Sequence, residues 1–267
     1  MLRIMVVGYP RSGTTLIAQH IAASLGIVCF PETHFFSSYF SGSLLHDVKT
    51  RVVRNNNISW TNFQKIFGSY SRKGRMISFD VAKASRNFFE FLDLVVDGLD
   101  GYSGWLEKTP AHIEYCEEII ESCKDIIVIG VIRKPSDAIS SYLHVTSEFP
   151  AEWGGKKSFK YASERWVRYC EIIIRCQNYP TFVPVRYEEF VRNPAQIISR
   201  VADKLSLSLE NSGYPDFPVY GFEKWKNNNG NVVSNRASKA DLMLSESELI
   251  FCHERLDKVY GLTQSLL

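Results

Sequence analysis

The chain has 267 residues, 45% of them hydrophobic and 22% charged, with a formal net charge of +2. That length suits one large domain with a full core, and the balance is that of an ordinary globular protein. The near-neutral charge excludes a bulk attraction to nucleic acid or to a membrane, so any anion site has to be a local cluster.

The first predicted element is a short apolar strand, Ile4 to Val7, which runs into Gly8-Tyr9-Pro10-Arg11-Ser12-Gly13-Thr14-Thr15-Leu16. A glycine turn, a polar loop and a helix opening near Gly13 form the layout in which backbone N–H groups at a helix start point at an anion. The spacing Gly8-x4-Gly13 is that of the nucleotide-triphosphatase phosphate loop, but Thr14 stands where those enzymes carry the Lys that reaches the transferable phosphates. Here the cation sits inside the loop, at Arg11. The loop is therefore suited to holding a phosphate and lacks the usual equipment for moving a γ-phosphoryl group.

The helical spacing from Gly13 to Leu25 stops at Gly26, and Ile27 to Phe30 is a second strand ended by Pro31. Glu32-Thr33-His34-Phe35-Phe36 then leaves the carboxyl end of that strand, the side on which open α/β sheets bind ligands. Residues 37–100 mix Tyr39, Phe40, Trp60, Phe63, Phe67 and Tyr70 with polar residues; helical spacing returns near Trp60 to Phe67 and in Phe88 to Leu99. We read them as a mostly helical insertion lining an acceptor site, with packing of its own core as the alternative for any one aromatic. Gly104 to Lys108 is a strand ending in a polar turn, His112 to Cys123 a helix, and Ile126 to Ile132 an all-apolar central strand too short to cross a bilayer. Ser136 to Leu143 and Phe159 to Cys176 are helices; Thr181 to Arg186 is a strand despite Pro184. A helix from Asn193-Pro194 to Leu205, a loop-rich stretch from Glu210 to Asn235, and a helix from Ser245 to Tyr260 capped by Gly261 complete the chain. Strand–helix alternation predicts a doubly wound parallel α/β sheet of the P-loop type, one domain over residues 1–267.

The six cysteines form no C-x-x-C pair, and the first strand begins too early to leave room for a signal peptide. They are expected to be buried free thiols in a reducing cytoplasm. Neither histidines nor acids show zinc-like spacing, so no metal is expected. Polar groups gather at three strand ends: Arg11, Thr14 and Thr15; Lys108 and Thr109; and Arg133 with Ser141 eight residues on. Guanidinium and hydroxyl at the last would grip a second phosphate, which suits a nucleotide phosphorylated at two places.

These residues resemble the sulfotransferases that use 3′-phosphoadenosine 5′-phosphosulfate (PAPS). Pro10-Arg11-Ser12-Gly13-Thr14-Thr15 is similar to their 5′-phosphosulfate loop, and Arg133-Lys134-Pro135-x5-Ser141 to their 3′-phosphate motif. Glu107-Lys108-Thr109-Pro110-Ala111 resembles the E-K-[ST]-P-A segment of glucosaminyl sulfotransferases and many bacterial enzymes. Glu32-x-His34-Phe35-Phe36 resembles the E-x-[HQ]-F-F segment that carries a catalytic glutamate, and Arg186-Tyr187-Glu188-Glu189 the Y-E-[DE] strand end whose tyrosine lies near adenine. The matches run from residue 3 to about 205 in the family's order. Phenol- and steroid-type members place a histidine two residues after the lysine, where this chain has Pro110. The family's C-terminal basic element is not visible either; Lys224, Lys226 or Arg236 would have to replace it.

The resemblance implies PAPS as co-substrate, 3′-phosphoadenosine 5′-phosphate (PAP) as product and a small-molecule or sugar acceptor. It places Arg11, Ser12, Gly13, Thr14, Thr15, Arg133, Ser141 and Tyr187 at the nucleotide, with Ser140 a rival to Ser141 and a core role the alternative for Tyr187. Glu32 suits a general base, with a solvated loop acid or helix cap as the alternative. Lys108 and Arg11 suit stabilisation of the leaving phosphate. His34, Phe35 and His112 are candidate acceptor contacts, a structural role being the alternative for both histidines. Two rival readings are a small-metabolite kinase and a non-catalytic nucleotide-binding module. The acceptor and the oligomeric state are not written in the sequence.

Overall fold

The computed structural model describes residues 1–41, 52–53, 81–204, 206–207, 209 and 240–263. The strands are β1 (Leu2–Gly8), β2 (Val28–Phe30), β3 (Phe40–Ser41), β4 (Val52–Val53), β5 (Gly104–Lys108), β6 (Ile126–Ile132) and β7 (Phe182–Arg186). Five of them form one parallel sheet in the order β2-β5-β1-β6-β7, while β3 and β4 pair antiparallel. The helices are α1 (Thr14–Ser24), α2 (Phe35–Tyr39), α3 (Val81–Asp97), α4 (Cys116–Ser122), α5 (Pro135–Glu148), α6 (Phe159–Cys176), α7 (Tyr187–Arg192), α8 (Pro194–Lys204), α9 (Ala240–Met243), α10 (Glu246–Phe251) and α11 (Asp257–Leu262).

Successive strand residues point to opposite faces, and β1 shows what that does. Ile4 and Val6 join an apolar layer with Ile17, Ala18 and Ile21 of α1 and Ile198 and Val201 of α8. Met5 and Val7 join the other layer, with Phe88 and Leu92 of α3, Ile119 of α4, Ile139 of α5 and Trp166 of α6. Every residue of β6 is buried. A strand covered on both faces stabilises the fold by roughly 1.5–3 kcal/mol for each large side chain it hides, which accounts for its uninterrupted apolar run. Pro184 is tolerated because β7 is the last strand of the order and pairs only with β6.

β1 lies at the centre. The chain first goes out to β2 at one edge, returns inward to β5 beside β1, then crosses to β6 and β7 on the other side. This reversal opens a crevice at the carboxyl ends beside β1, where open α/β sheets bind ligands. The fold is the doubly wound parallel α/β class read from the sequence.

Several boundaries differ. The segment expected to be one helix from His112 to Cys123 begins earlier, as a 3-10 helix over Pro110–Tyr115, before α4. Pro110 presets its first turn, and the His112 N–H bonds back to the Thr109 carbonyl at 3.0 Å. The expected single helix from Ser245 to Tyr260 is α10, a π-helical segment Cys252–Leu256 and α11, which runs through Gly261. Its buried row, Cys252, Leu256 and Tyr260, recurs every four residues. A widened turn keeps that row on one face, where a 3.6-residue period would let it drift. Tyr187 opens a short helix of its own and does not end the strand. Of the 37–100 insertion, the second expected helix is present as α3, while Trp60 to Phe67 lies outside the described residues, as does the Glu210 to Asn235 loop with Lys224, Lys226 and Arg236. None of the six cysteines is in a disulfide; five are buried and Cys29 is half-buried. No helix of the described residues is long and apolar enough to cross a membrane.

Candidate active site

The loop after β1 has the backbone its residues suggested. Gly8 has φ +152, and a Cβ there would lie 2.4 Å from the Val131 carbonyl oxygen, so the turn closes against β6 only with glycine. Arg11 is left-handed, with φ 71, and the Ser12 N–H closes the turn onto the Tyr9 carbonyl at 3.1 Å. A side-chain-bearing residue in that conformation carries about 1–2 kcal/mol of strain, which the surrounding packing must hold. Gly13, with φ 85, caps α1 with no side-chain hydrogen bond, and the first turn carries no acid. The Thr14 and Thr15 hydroxyls begin the helix there. A helix start of this kind directs N–H groups and positive potential at an anion. The Ser12 hydroxyl is buried beside it with no hydrogen-bond partner. A buried donor of that kind fits a ligand oxygen.

The second turn packs directly on the first. Arg133 Nη1 donates to the Arg11 carbonyl at 3.1 Å, and Arg11 Nε donates to Ser141 Oγ at 3.4 Å. The Arg133 guanidinium lies 4.5 Å from the centroid of the Tyr187 ring. The same ring covers Gly13, where a Cβ would approach Tyr187 Cδ2 to 2.2 Å. Trp166 Nε1 donates to the Arg133 carbonyl at 3.2 Å. Arg133 Nε is buried and without a partner. Arg11, Ser12, Gly13, Arg133, Ser141 and Tyr187, drawn from three separate strand–helix units, thus form one basic cradle. Ser140 is fully buried and its hydroxyl donates to the Asp137 carbonyl at 3.2 Å, so of the two serines it is Ser141 that meets Arg11.

On the other side of β1, the parallel register sets Phe30 of β2 opposite Glu107 of β5. Glu32, two residues past Phe30, therefore reaches the end of β5. The Lys108 ammonium donates to Glu32 Oε1, and His34 Nε2 lies 3.2 Å from Glu32 Oε2. The Lys108 side chain is 4% exposed, Glu32 17% and His34 51%, so the pair is sheltered while the histidine faces outward. A carboxylate beside an ammonium can take a proton once the cation is drawn elsewhere.

His112 and Phe35 are not placed as acceptor contacts. The His112 ring is fully buried: Nε2 accepts the Phe36 N–H at 3.2 Å, and Nδ1 lies 3.1 Å from Glu107 Oε2. Phe35 is in the core, its ring stacked 4.3 Å from that of Phe88. Phe35 is carried inward where the Glu32 loop turns back onto β5, and His112 by the 3-10 helix that follows β5.

The residue that sequence reasoning passed over is Glu107. It is fully buried, and its Oε1 accepts from the Thr33 N–H (3.2 Å), the Thr33 hydroxyl (2.8 Å) and the Thr109 hydroxyl (2.5 Å). Burial pushes its carboxyl pKa up, but His112 and the hydrogen bonds from Thr109 and Thr33 outweigh that and leave it below the ordinary value. A signal was available: a carboxylate inside an otherwise apolar strand has to be partnered, and a histidine follows five residues later. Among the described residues no group of His, Cys, Asp and Glu is arranged to hold a metal ion.

Comparison with known proteins bears on the fold and the family. The sulfotransferase domain of the Synechococcus PCC 7002 olefin synthase superposes with a TM-score of 0.55 at 16% identity, over 96% of this chain and 94% of that one. A mouse sulfotransferase complexed with PAP gives 0.51 at 10% identity, over 97% and 82%. A sulfotransferase from Alicyclobacillus acidocaldarius gives 0.50 at 15% identity, over 83% and 87%. At these identities the likeness is one of fold. No curated protein matches the sequence. The family model for the sulfotransferase family matches residues 3–211, and with a match over most of its length the chain belongs to that family.

Proposed function

We propose that this chain is a PAPS-dependent sulfotransferase that sulfates a hydroxyl, or an amine, of a small molecule or sugar. We take residues 1–267 as one transferase domain, with 37–100 as the insertion beside the acceptor. The observation that carries the reading is the contact between Glu32 and Lys108 at the ends of adjacent strands, next to the Arg11–Arg133 cradle. The buried Ser12 hydroxyl and Arg133 Nε, both without partners, fit the phosphates of such a nucleotide. PAP in the mouse structure supports the choice of nucleotide.

When bound, PAPS supplies a sulfuryl group already joined to a good leaving group, the 5′-phosphate. Arg11, Ser12, Thr14, Thr15 and the N–H groups at the start of α1 hold that 5′-phosphate. Arg133 and Ser141 hold the 3′-phosphate, and the Tyr187 ring flanks the adenine. Lys108 turns from Glu32 to the oxygen that bridges sulfur and phosphorus, where negative charge develops. Glu32, released from the ammonium, takes the acceptor's proton. One oxygen–sulfur bond forms as the bond from sulfur to the 5′-phosphate oxygen breaks; the electron pair leaves with PAP and the proton stays on Glu32.

PAP should raise the melting temperature through preferential binding to the folded chain, and ATP with Mg²⁺ should not. The reverse order would favour the small-metabolite kinase. A screen of acceptors with labelled PAPS is expected to yield a sulfated product. Glu32→Gln should lower kcat by about 100-fold or more with the Kd for PAP within about threefold, and Lys108→Ala should lower kcat by about as much while PAP, still held by Arg11 and the loop N–H groups, continues to bind. Wild-type rates in both variants would remove Glu32 and Lys108 from the chemistry, whereas PAP binding with no sulfated product from any acceptor would leave a binding module.

A further inference from the structure

We propose that Glu107, Thr109 and His112 are positioning residues for catalysis: they grip the Glu32 loop by its backbone and fix it to the strand that carries Lys108. The proposal rests on the roles given above to Glu32 and Lys108.

Four consecutive N–H groups follow Glu32, and all four are taken by side chains. Thr33 donates to Glu107 Oε1 at 3.2 Å, His34 to Thr109 Oγ1 at 3.3 Å, Phe35 to Thr33 Oγ1 at 3.2 Å and Phe36 to His112 Nε2 at 3.2 Å. Three of the four acceptors belong to the run Glu107–His112. The fourth, Thr33 Oγ1, itself donates to Glu107 Oε1 at 2.8 Å. The sheet ladder ends at Phe30 and Glu107, so it does not hold this loop. Glu107 and Lys108 share a peptide bond. The carboxylate that anchors the loop and the ammonium that meets Glu32 are thus tied by a single backbone unit. Catalytic geometry has to be kept within about 0.5 Å, and an error of about 1 Å can cost 100-fold in rate.

The donor directions make the grip specific. His112 Nε2 accepts the Phe36 N–H, so in a neutral ring the proton is on Nδ1 and is donated to Glu107 Oε2. Glu107 therefore faces four donors, which only an acceptor-only carboxylate satisfies. Glutamine at this position turns N–H groups toward His112 Nδ1–H. Either that contact is lost, or the ring moves its proton to Nε2 and the Phe36 N–H loses its acceptor. Glu107 is fully buried, so it acts through the loop and does not touch the reacting groups.

The test uses the full chain, with labelled PAPS turned over by an acceptor found in the screen and by water as the acceptor-free reference. Glu107→Gln should lower kcat by about 30-fold or more with the Kd for PAP within about twofold. In a Glu32→Gln background the same change should cost less than about threefold, because the group it positions is already gone. Hydrogen exchange at the amides of residues 33–36 should speed up by about tenfold or more in Glu107→Gln and in Thr109→Val, which keeps the packing volume. Equal fractional losses in both backgrounds, or unchanged exchange at those amides, would overturn the proposal. If Glu107→Gln does not fold, Thr109→Val carries the same two readouts. Failure of PAP to bind the wild type would instead sink the choice of co-substrate, and the exchange result would still stand.

Discussion

Gly13 is the residue on which two turns depend. It starts α1 with φ 85, and the Tyr187 ring occupies the space a Cβ would take. Gly13→Ala is expected to cost about 2 kcal/mol through backbone strain and the clash, and to weaken PAP binding at least tenfold by moving the N–H groups around it. Urea unfolding and calorimetric titration measure the two effects. The Gly13→Ala/Tyr187→Ala double variant should recover part of the stability, because it removes the clash and leaves the strain. The glycine itself was legible from its spacing. The ring above it was not, since Tyr187 lies 174 residues away in sequence, and nothing local to either residue records the contact.

At the scale of the element, β5 shows how one strand serves two faces. Lys108 meets Glu32 at the site, while its neighbour Glu107 anchors the loop from within the core. The Glu107 carboxyl sits below its ordinary pKa in the folded chain, so the folded state binds fewer protons there than the unfolded one. Its contribution to stability is therefore full above the ordinary carboxylate pKa of about 4.3 and is lost as pH falls through the lower folded value. Glu107→Ala leaves several buried donors unpaired and should cost about 3 kcal/mol or more at pH 7. The difference from wild type, followed by urea unfolding, should shrink as the pH is lowered past 4. A difference that stays constant with pH would mean the carboxylate is not the anchor. The strand was legible from its apolar residues and polar end. The acid inside it was read only as part of a motif, because burial of both faces of β5 is a property of the sheet.

The molecule as a whole ties the basic cradle to the C-terminal helices. Arg186 Nη2 donates to the Tyr260 carbonyl at 2.7 Å and to Thr263 Oγ1 at 3.1 Å. The Tyr260 hydroxyl donates to Glu188 Oε2 at 2.6 Å, and Glu188 Oε1 accepts the Lys134 N–H at 2.9 Å. The end of the chain therefore braces the turns that carry Arg133 and Tyr187. Burial and the adjacent Glu188 push the Tyr260 phenol far up, so it keeps its proton through ordinary pH. Tyr260→Phe should cost about 1–2 kcal/mol and weaken PAP by a few-fold, with neither effect changing between about pH 6 and 9. Urea unfolding and titration across that range check this. Calorimetry should show one transition that PAP shifts as a unit, since the brace makes the cradle and the C-terminal helices a single cooperative body.

The short helix at Phe35–Tyr39 and the pairing of β3 with β4 were not legible in the sequence, which by itself determined the five strands of the parallel sheet, the phosphate-loop glycines, and which residue types stand at the strand ends. These are local matters: apolar periodicity, turn chemistry and spacing act within a few residues. Tertiary structure alone decided that Arg133 reaches the Arg11 carbonyl, that Lys108 meets Glu32, and that His112 and Phe35 turn into the core. Those outcomes depend on which strands become neighbours and in what register, and that is set by burying both faces of the sheet at once.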